Sequence, residues 1–326
     1  MNQQWKDFLL AEQALFEDEQ HIVFPVGLPE NDKHIYPLTH LAVLSVTGKD
    51  AANLLQGQVT CNVNEVSERK AIFGAMCNPK GRVISTFLLL KSTEGFLLVL
   101  PHALLGPVKK KLQMYVLRSV VTLTDCSDTL CLIGLSTSEQ PLAKQFDVQG
   151  QDSISVQFSA LENRQLVIAQ TDKAVILWSD YSVNQGFNAA NTAAWQTLDI
   201  MSGIPWLSED TSEEYIPQML NVDKLGGVSF NKGCYTGQEI VARTHYLGKT
   251  KRALFIAECD SVHLPAGNAA VFDENPDNTQ AVGSVLSAQH SHNKCKMLVV
   301  LSVSETDMPK LTLADQTPLT LLAWPT

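Results

Sequence analysis

From Trp5 to Phe16 the apolar residues Trp5, Phe8, Leu9, Leu15 and Phe16 fall on one face of a 3.6-residue repeat, which predicts an amphipathic helix at the start of the chain. Between Leu41 and Asn62 the run LAVLSVTG, Asp50 as a helix cap and the short AANLLQG predict strand, helix and a further extended piece. RVISTFLLL, a turn at Gly95 and FLLVLP predict a hairpin. The helix after it carries Leu105, Val108, Leu112 and Tyr115 on one face, and SVVTLTD predicts the next strand. A similar order then returns, with CLIGLS as strand, SEQPLAKQF as helix, AVILWSD as strand and a helix around Ala193 to Met201. The architectural order repeats although no sequence repeat is visible, and it predicts an α+β region whose sheets are covered by helices on one side. After Lys251 the pattern changes to the short extended runs RALFIAE, AAVFD, AVGSVLSA, KMLVVLSV, LTL and LTLLAW, separated by Gly, Pro, Asn and Asp turns. These predict a small all-β module or barrel, with ENPDNTQ as a turn-rich loop.

Length and composition narrow the reading. The 326 residues exceed a usual single core of about 150 residues, so two or three packed subdomains are expected, and 45% hydrophobic with 18% charged residues describe a globular chain. Lys91 and Glu94 interrupt the longest apolar stretch, so no membrane span is expected. The first residues show no basic region followed by a cleavage site, and a cytoplasmic location is the expectation. Seven cysteines, an odd number scattered along a long chain, predict reduced thiols. A formal charge of −10 disfavours direct tRNA contact, for which the available basic residues are Lys109 to Lys111, Arg118 and the segment of Arg243, His245, Lys249, Lys251 and Arg252.

Candidate chemistry centres on NKGCYTGQEIVAR, residues 231–243. Thr236 and Glu239 have the spacing of a capping box, which would start a helix two residues after Cys234. A helix N-terminus and Lys232 would both favour a thiolate if the sulfur faces them; a small buried cysteine in a tight loop is the competing reading. Gly248-Lys249-Thr250 is not a phosphate loop, because Arg243 stands where that motif needs glycine. Cys126 and Cys131 lack further ligands at metal-binding spacing and read as strand cysteines. Neither G-x-S-x-G nor H-E-x-x-H occurs, and most of the eight histidines read as surface residues.

At KGCYTGQEIVAR the sequence resembles the YgfZ family, folate-binding relatives of the glycine-cleavage aminomethyltransferase, or T-protein. LQGQVTCNV, PKGRV, YVLRSVVTL, IPQMLNVDKLGGVSF and KTKRAL carry the resemblance over most of the chain. It implies two ferredoxin-like α+β subdomains, intertwined within residues 1–245, and a C-terminal β-barrel at 246–326, arranged around a central pocket for tetrahydrofolate or a folate derivative. It also implies an accessory role in assembly or repair of iron–sulfur enzymes, with iron–sulfur client or assembly proteins as partners, and through them support for modification of some tRNAs. Lys232, Gly233, Cys234, Tyr235, Gly237, Gln238 and Glu239 fall on the family loop. Cys234 with Lys232 is then the expected reactive pair. Trp195, Tyr235, Gln238, Glu239 and Arg252 are the expected folate contacts, the indole of Trp195 as a stacking face for the pterin. No metal site is expected. Folate-dependent aminomethyl or methyl transfer is the enzymatic alternative, although no catalytic acid is assignable. Leu41 and Met201 stand where the family has tryptophan and glutamate, and Asp199 or Glu213 is left to supply a carboxylate.

Overall fold

Val83 to Leu90 are buried without interruption, as are all residues of Gly95–Pro101, which is why these stretches are mostly apolar, with Ser85 and Thr86 as buried polar exceptions. They pair antiparallel, Leu88 opposite Val99 and Ser92 opposite Gly95, and are the hairpin expected from the sequence. Burying each such Leu, Val or Phe side chain contributes roughly 1.5–3 kcal/mol. The computed structural model describes the chain except residues 26–31, 142, 151–152, 160–161, 249, 274–279, 292, 303–309 and 325–326. Most of ENPDNTQ and the whole of Lys249 therefore lie outside the described residues.

Two compact units take the chain in pieces. The first contains residues 1–55, 63–72 and 87–195, and the second residues 56–62, 73–86 and 196–326. In the first unit a six-stranded sheet runs in the order Val148–Gln149, Ile154–Gln157, Asn163–Gln170, Leu130–Thr137, His34–Pro37 and Asn188–Ala189. All neighbours are antiparallel except the last pair. A five-stranded sheet has the order Ile72–Cys77, Val83–Ser92, Gly95–Pro101, Leu41–Thr47 and Thr122–Asp125. The helix His102–Val116 packs on Leu41–Thr47 through buried Leu105, Val108 and Leu112.

The second unit ends in a closed six-stranded barrel: Arg252–Cys259, Lys294–Ser302, Gly283–Ser291, Ala270–Asp273, Leu311–Leu313 and Pro318–Leu322, the last pairing back onto the first. Its interior takes alternate residues, among them Ala257 and Cys259 from one strand and Cys295, Met297, Val299 and Leu301 from its neighbour. Closure leaves no free sheet edge. The expected α+β region followed by a barrel is what forms.

Some elements differ from expectation. The first helix stops at Ala11, with Trp5 and Leu9 buried and the Asn2 side chain accepting from the Trp5 N–H, while Leu15–Phe16 pairs as a strand with Ile22–Val23. AVILWSD belongs to the helix Thr171–Ser179, whose buried Thr171, Ala174 and Trp178 share a helical face. Trp178 meets Trp5 and Phe24, and this packing overrides the strand preference of Val175 and Ile176. SEQPLAKQF forms no helix among its described residues. Pro141 lacks the N–H a helix would use, and Phe146 sits at φ 67 with its N–H donated to the Gln157 carbonyl. The Asp50 carboxylate accepts from the N–H of Val120.

Candidate functional site

The helix Gln238–Leu247 follows directly on the cysteine loop, and its N-cap is Gly237 at φ 85, ψ 0. A Cβ at residue 237 would stand 2.5 Å from the Asn78 carbonyl oxygen, so both the backbone angle and the close approach require glycine. The expected capping box does not form. Gly237 offers no capping side chain, Thr236 donates its hydroxyl to Gln58 Oε1 at 3.1 Å and its N–H to the Gly57 carbonyl, and Glu239 is exposed. Cys234 therefore lies three residues ahead of the cap, and its side chain is exposed.

Lys232 ties the loop down. Its Nζ donates to the carbonyls of Val59 and Cys61, each at 2.8 Å, and lies 5.1 Å from the centroid of the Tyr235 ring. Burial pulls its amine from the ordinary 10.5 to about 8, against a smaller opposing effect of the Cys61 thiol. Tyr235 is buried, and burial, with the Cys77 and Cys61 thiols nearby, raises its phenol above the usual range. Burial pushes the Cys77 thiol up to about 12. Lys232 and Tyr235 thus form a packed base on Val59, Cys61 and Cys77, and Cys234 between them points its thiol outward.

The depressed amine has a measurable consequence. Between about pH 8 and 10.5 the unfolded chain still binds a proton that folded Lys232 has shed, so this residue makes wild-type stability rise through that window. Lys232→Met lacks that rise. Urea unfolding near pH 7.5 and near pH 10 should show a smaller gain in the variant, and equal gains would mean that Lys232 is not held as a buried cation.

Trp195, in the helix Thr192–Met201 and the last residue of the first unit, has no exposed surface. The Arg164 guanidinium lies 4.3 Å over its ring, Tyr36 meets it edge-on at 5.4 Å and Phe158 lies 6.0 Å away. A Cβ on Gly134 would come within 2.5 Å of the indole, so a residue without a side chain makes room for it. The Trp195 Nε1–H is buried with no hydrogen-bond partner. An indole in this setting is not an open stacking face: a pterin lying on it has to displace the guanidinium, which occupies the same cation–π position.

Among the remaining expected contacts, Gln238 is half-buried in the first turn of its helix, and Arg252 is exposed at the first position of the barrel strand, opposite Ser302. Arg243, His245 and Lys251 are also exposed. His245 stacks on Phe230 at 3.7 Å between centroids, and Tyr246 packs edge-on against both, an aromatic group that the sequence reading did not single out. Asp199 is buried and accepts from Trp206 Nε1 at 2.9 Å, and Glu213 accepts from Asn78 Nδ2 at 2.7 Å. Leu41 is buried and Met201 half-buried. His40 is buried, while His245, His263 and His290 are exposed. Among the described residues no group of three or more His, Cys, Asp or Glu is placed to hold a metal ion, and no helix is long and apolar enough to cross a membrane.

The sequence reading also missed the base of the loop. Gln58, Val59, Cys61, Cys77 and Asn78 come from LQGQVTCNV and the stretch before PKGRV, two segments that carried the family resemblance without an assigned role. Their co-occurrence with the loop was the available signal.

This architecture has a counterpart among solved structures. The glycine cleavage system aminomethyltransferase T from Bartonella henselae superposes with a TM-score of 0.75 over 92% of this chain and 90% of that one, at 13% identity, a likeness of fold. Residues 30–191 match the GCVT N-terminal domain model. The class is therefore an α+β, T-protein-like fold with a C-terminal barrel. The tRNA-modifying protein YgfZ of Colwellia psychrerythraea is 31% identical over 301 residues, covering 89% of this chain and 90% of the relative. That of Yersinia enterocolitica is 33% identical over 257 residues, 76% of this chain and 77% of the relative. The chain belongs to the YgfZ family.

Proposed function

We propose that this protein is a tetrahydrofolate-binding accessory factor that supports tRNA modification by maintaining iron–sulfur enzymes, with Cys234 as the group presented to a client or assembly protein. The observation that carries this reading is the loop: an exposed thiol held between a lysine anchored on two carbonyls and a buried tyrosine, in a chain of the YgfZ family. The relatives' name ties them to tRNA modification. An exposed cysteine on a fixed base suits engagement of a protein partner, because its sulfur can be reached without unfolding the loop.

Folate is the proposed ligand because the chain belongs to the YgfZ family, whose resemblance in sequence implies a folate pocket. Trp195 is its proposed reporter, with the guanidinium of Arg164 moving off the indole as the pterin arrives. Calorimetric and fluorescence titration of tetrahydrofolate into wild type and Trp195→Phe tests this. Loss of the indole should weaken binding by up to about tenfold, the equivalent of one lost aromatic contact. Equal affinity of the two proteins would remove Trp195 from the site, and no heat with either would remove folate from the proposal.

A further inference from the structure

Two of the buried cysteines face each other inside the barrel. Cys259 ends the strand Arg252–Cys259, Cys295 is the second residue of Lys294–Ser302, and the two are direct cross-strand partners in the antiparallel ladder. Directly opposed residues project to the same side of a sheet, and both belong to the apolar interior cluster of the barrel. Each thiol is close enough to act on the other's charge, and both are reduced. In either type of antiparallel pair the Cα atoms are about 4.5 or 5.5 Å apart, within the range of about 4.4–6.8 Å that a disulfide spans.

The register is held on both sides of the pair. Glu258 lies opposite Lys296 and forms an ion pair with it, while Lys294 bridges to Asp260 at 3.0 Å and to Glu258 at 3.9 Å. A slip of one strand by one residue would break this ladder of charges and leave the two sulfurs on opposite faces of the sheet. Cys259–Cys295 is also the last pair of its ladder, next to exposed Asp260, so fraying at this end brings a small reagent to the sulfurs without opening the barrel.

We infer that Cys259 and Cys295 are a dithiol that closes to a cross-strand disulfide on reaction with a low-molecular-weight disulfide, locking the first two strands of the barrel together. The thiolate of one cysteine attacks a sulfur of the reagent, its S–S bond breaks, and one small thiol leaves with a proton. The second protein sulfur gives up its proton and attacks the mixed disulfide, releasing the second small thiol. Two protein S–H groups are oxidised and one small disulfide is reduced. Burial raises both thiols above their usual range, Cys295 to about 12, so the dithiol survives brief exposure and closes slowly.

The test uses the full chain carrying Cys234→Ser, so that the exposed thiol does not contribute. The protein is incubated with excess glutathione disulfide, its remaining thiols are alkylated in denaturant, and the unreduced digest is mapped by mass spectrometry. The expected result is one linked peptide pair joining Cys259 to Cys295, lighter by two hydrogens than the sum of its parts, together with a higher melting temperature than that of the reduced protein. Cys259→Ala and Cys295→Ala should each lose the link and the thermal gain. Recovery of both cysteines as alkylated thiols, pairing of either with another cysteine, or an oxidised form that melts no higher than the reduced one would overturn the inference. The peptide map of the protein with both barrel cysteines intact decides the matter even if the alanine variants do not fold.

Discussion

Cys234→Ser is expected to abolish support of iron–sulfur-dependent tRNA modification while changing folding stability by no more than about 0.5 kcal/mol, the usual range for an exposed position. The two ties that hold the loop, from Lys232 to Val59 and Cys61 and from Thr236 to Gln58, do not use the sulfur. Serine keeps the size and exposure of the side chain and loses the soft, nucleophilic sulfur. Complementation of a deletion strain, with modified nucleosides quantified from total tRNA and melting curves run in parallel, reads both effects. Modification restored to the wild-type level by the serine variant would end the assignment of Cys234. A loss of modification that follows a loss of stability would make it a packing residue instead. Since folate binding is measured separately, a failure of the thiol assignment is distinguishable from a failure of the ligand assignment.

Acid should weaken the fold through His40. Its side chain lies in the first unit between the strands His34–Pro37 and Leu41–Thr47, buried, with neither ring nitrogen hydrogen-bonded. Burial, aided by the neighbouring charge of His21, lowers it from 6.5 to about 3. Below pH 6.5 the unfolded chain takes up a proton that folded His40 refuses. Its contribution is therefore fully present above about pH 6.5 and is lost progressively as the pH falls toward 3. At about 1.4 kcal/mol per unit the loss between pH 6.5 and pH 5 amounts to about 2 kcal/mol. His40→Leu keeps the position apolar and cannot titrate, so urea unfolding at pH 7 and pH 5 should show wild type losing about 2 kcal/mol more than the variant. Equal losses would show that the imidazole is protonated in the folded protein.

The parts of the fold that were legible in the sequence are those in which periodicity and burial agree. The hairpin at Val83–Ser92 and Gly95–Pro101 is mostly apolar because Val83 to Leu90 and Gly95 to Pro101 are buried, and the barrel strands show as short extended runs whose alternate residues look inward. The helix Thr171–Ser179 was not legible: Val175, Ile176 and Leu177 are consecutive apolar residues, which carry no period, and only the packing of Trp178 on Trp5 and Phe24 decides the matter. The capping-box spacing at Thr236 and Glu239 misled for a different reason. Side-chain identity suits a cap there, but the close approach of Asn78 forces the left-handed backbone that glycine adopts at residue 237. The position of the loop was legible from its own residues. The enclosure of Trp195 was not, because Arg164, Phe158 and Tyr36 reach it from distant parts of the chain.

The ties that hold the cysteine loop join residues 173, 171 and 178 positions apart in the chain. During synthesis, Gln58, Val59 and Cys61 leave the ribosome long before Lys232 and Thr236 exist, and closing so long a loop is entropically costly and slow. A nascent chain arrested before Lys232 therefore carries the base without the thiol, and a fragment beginning at Gln196 carries the thiol without its base. Nonsense mutations ahead of Lys232, and fragments that lack Gln58 to Cys61, should consequently give no partial activity, since the cysteine loop and its base are then never present in one chain.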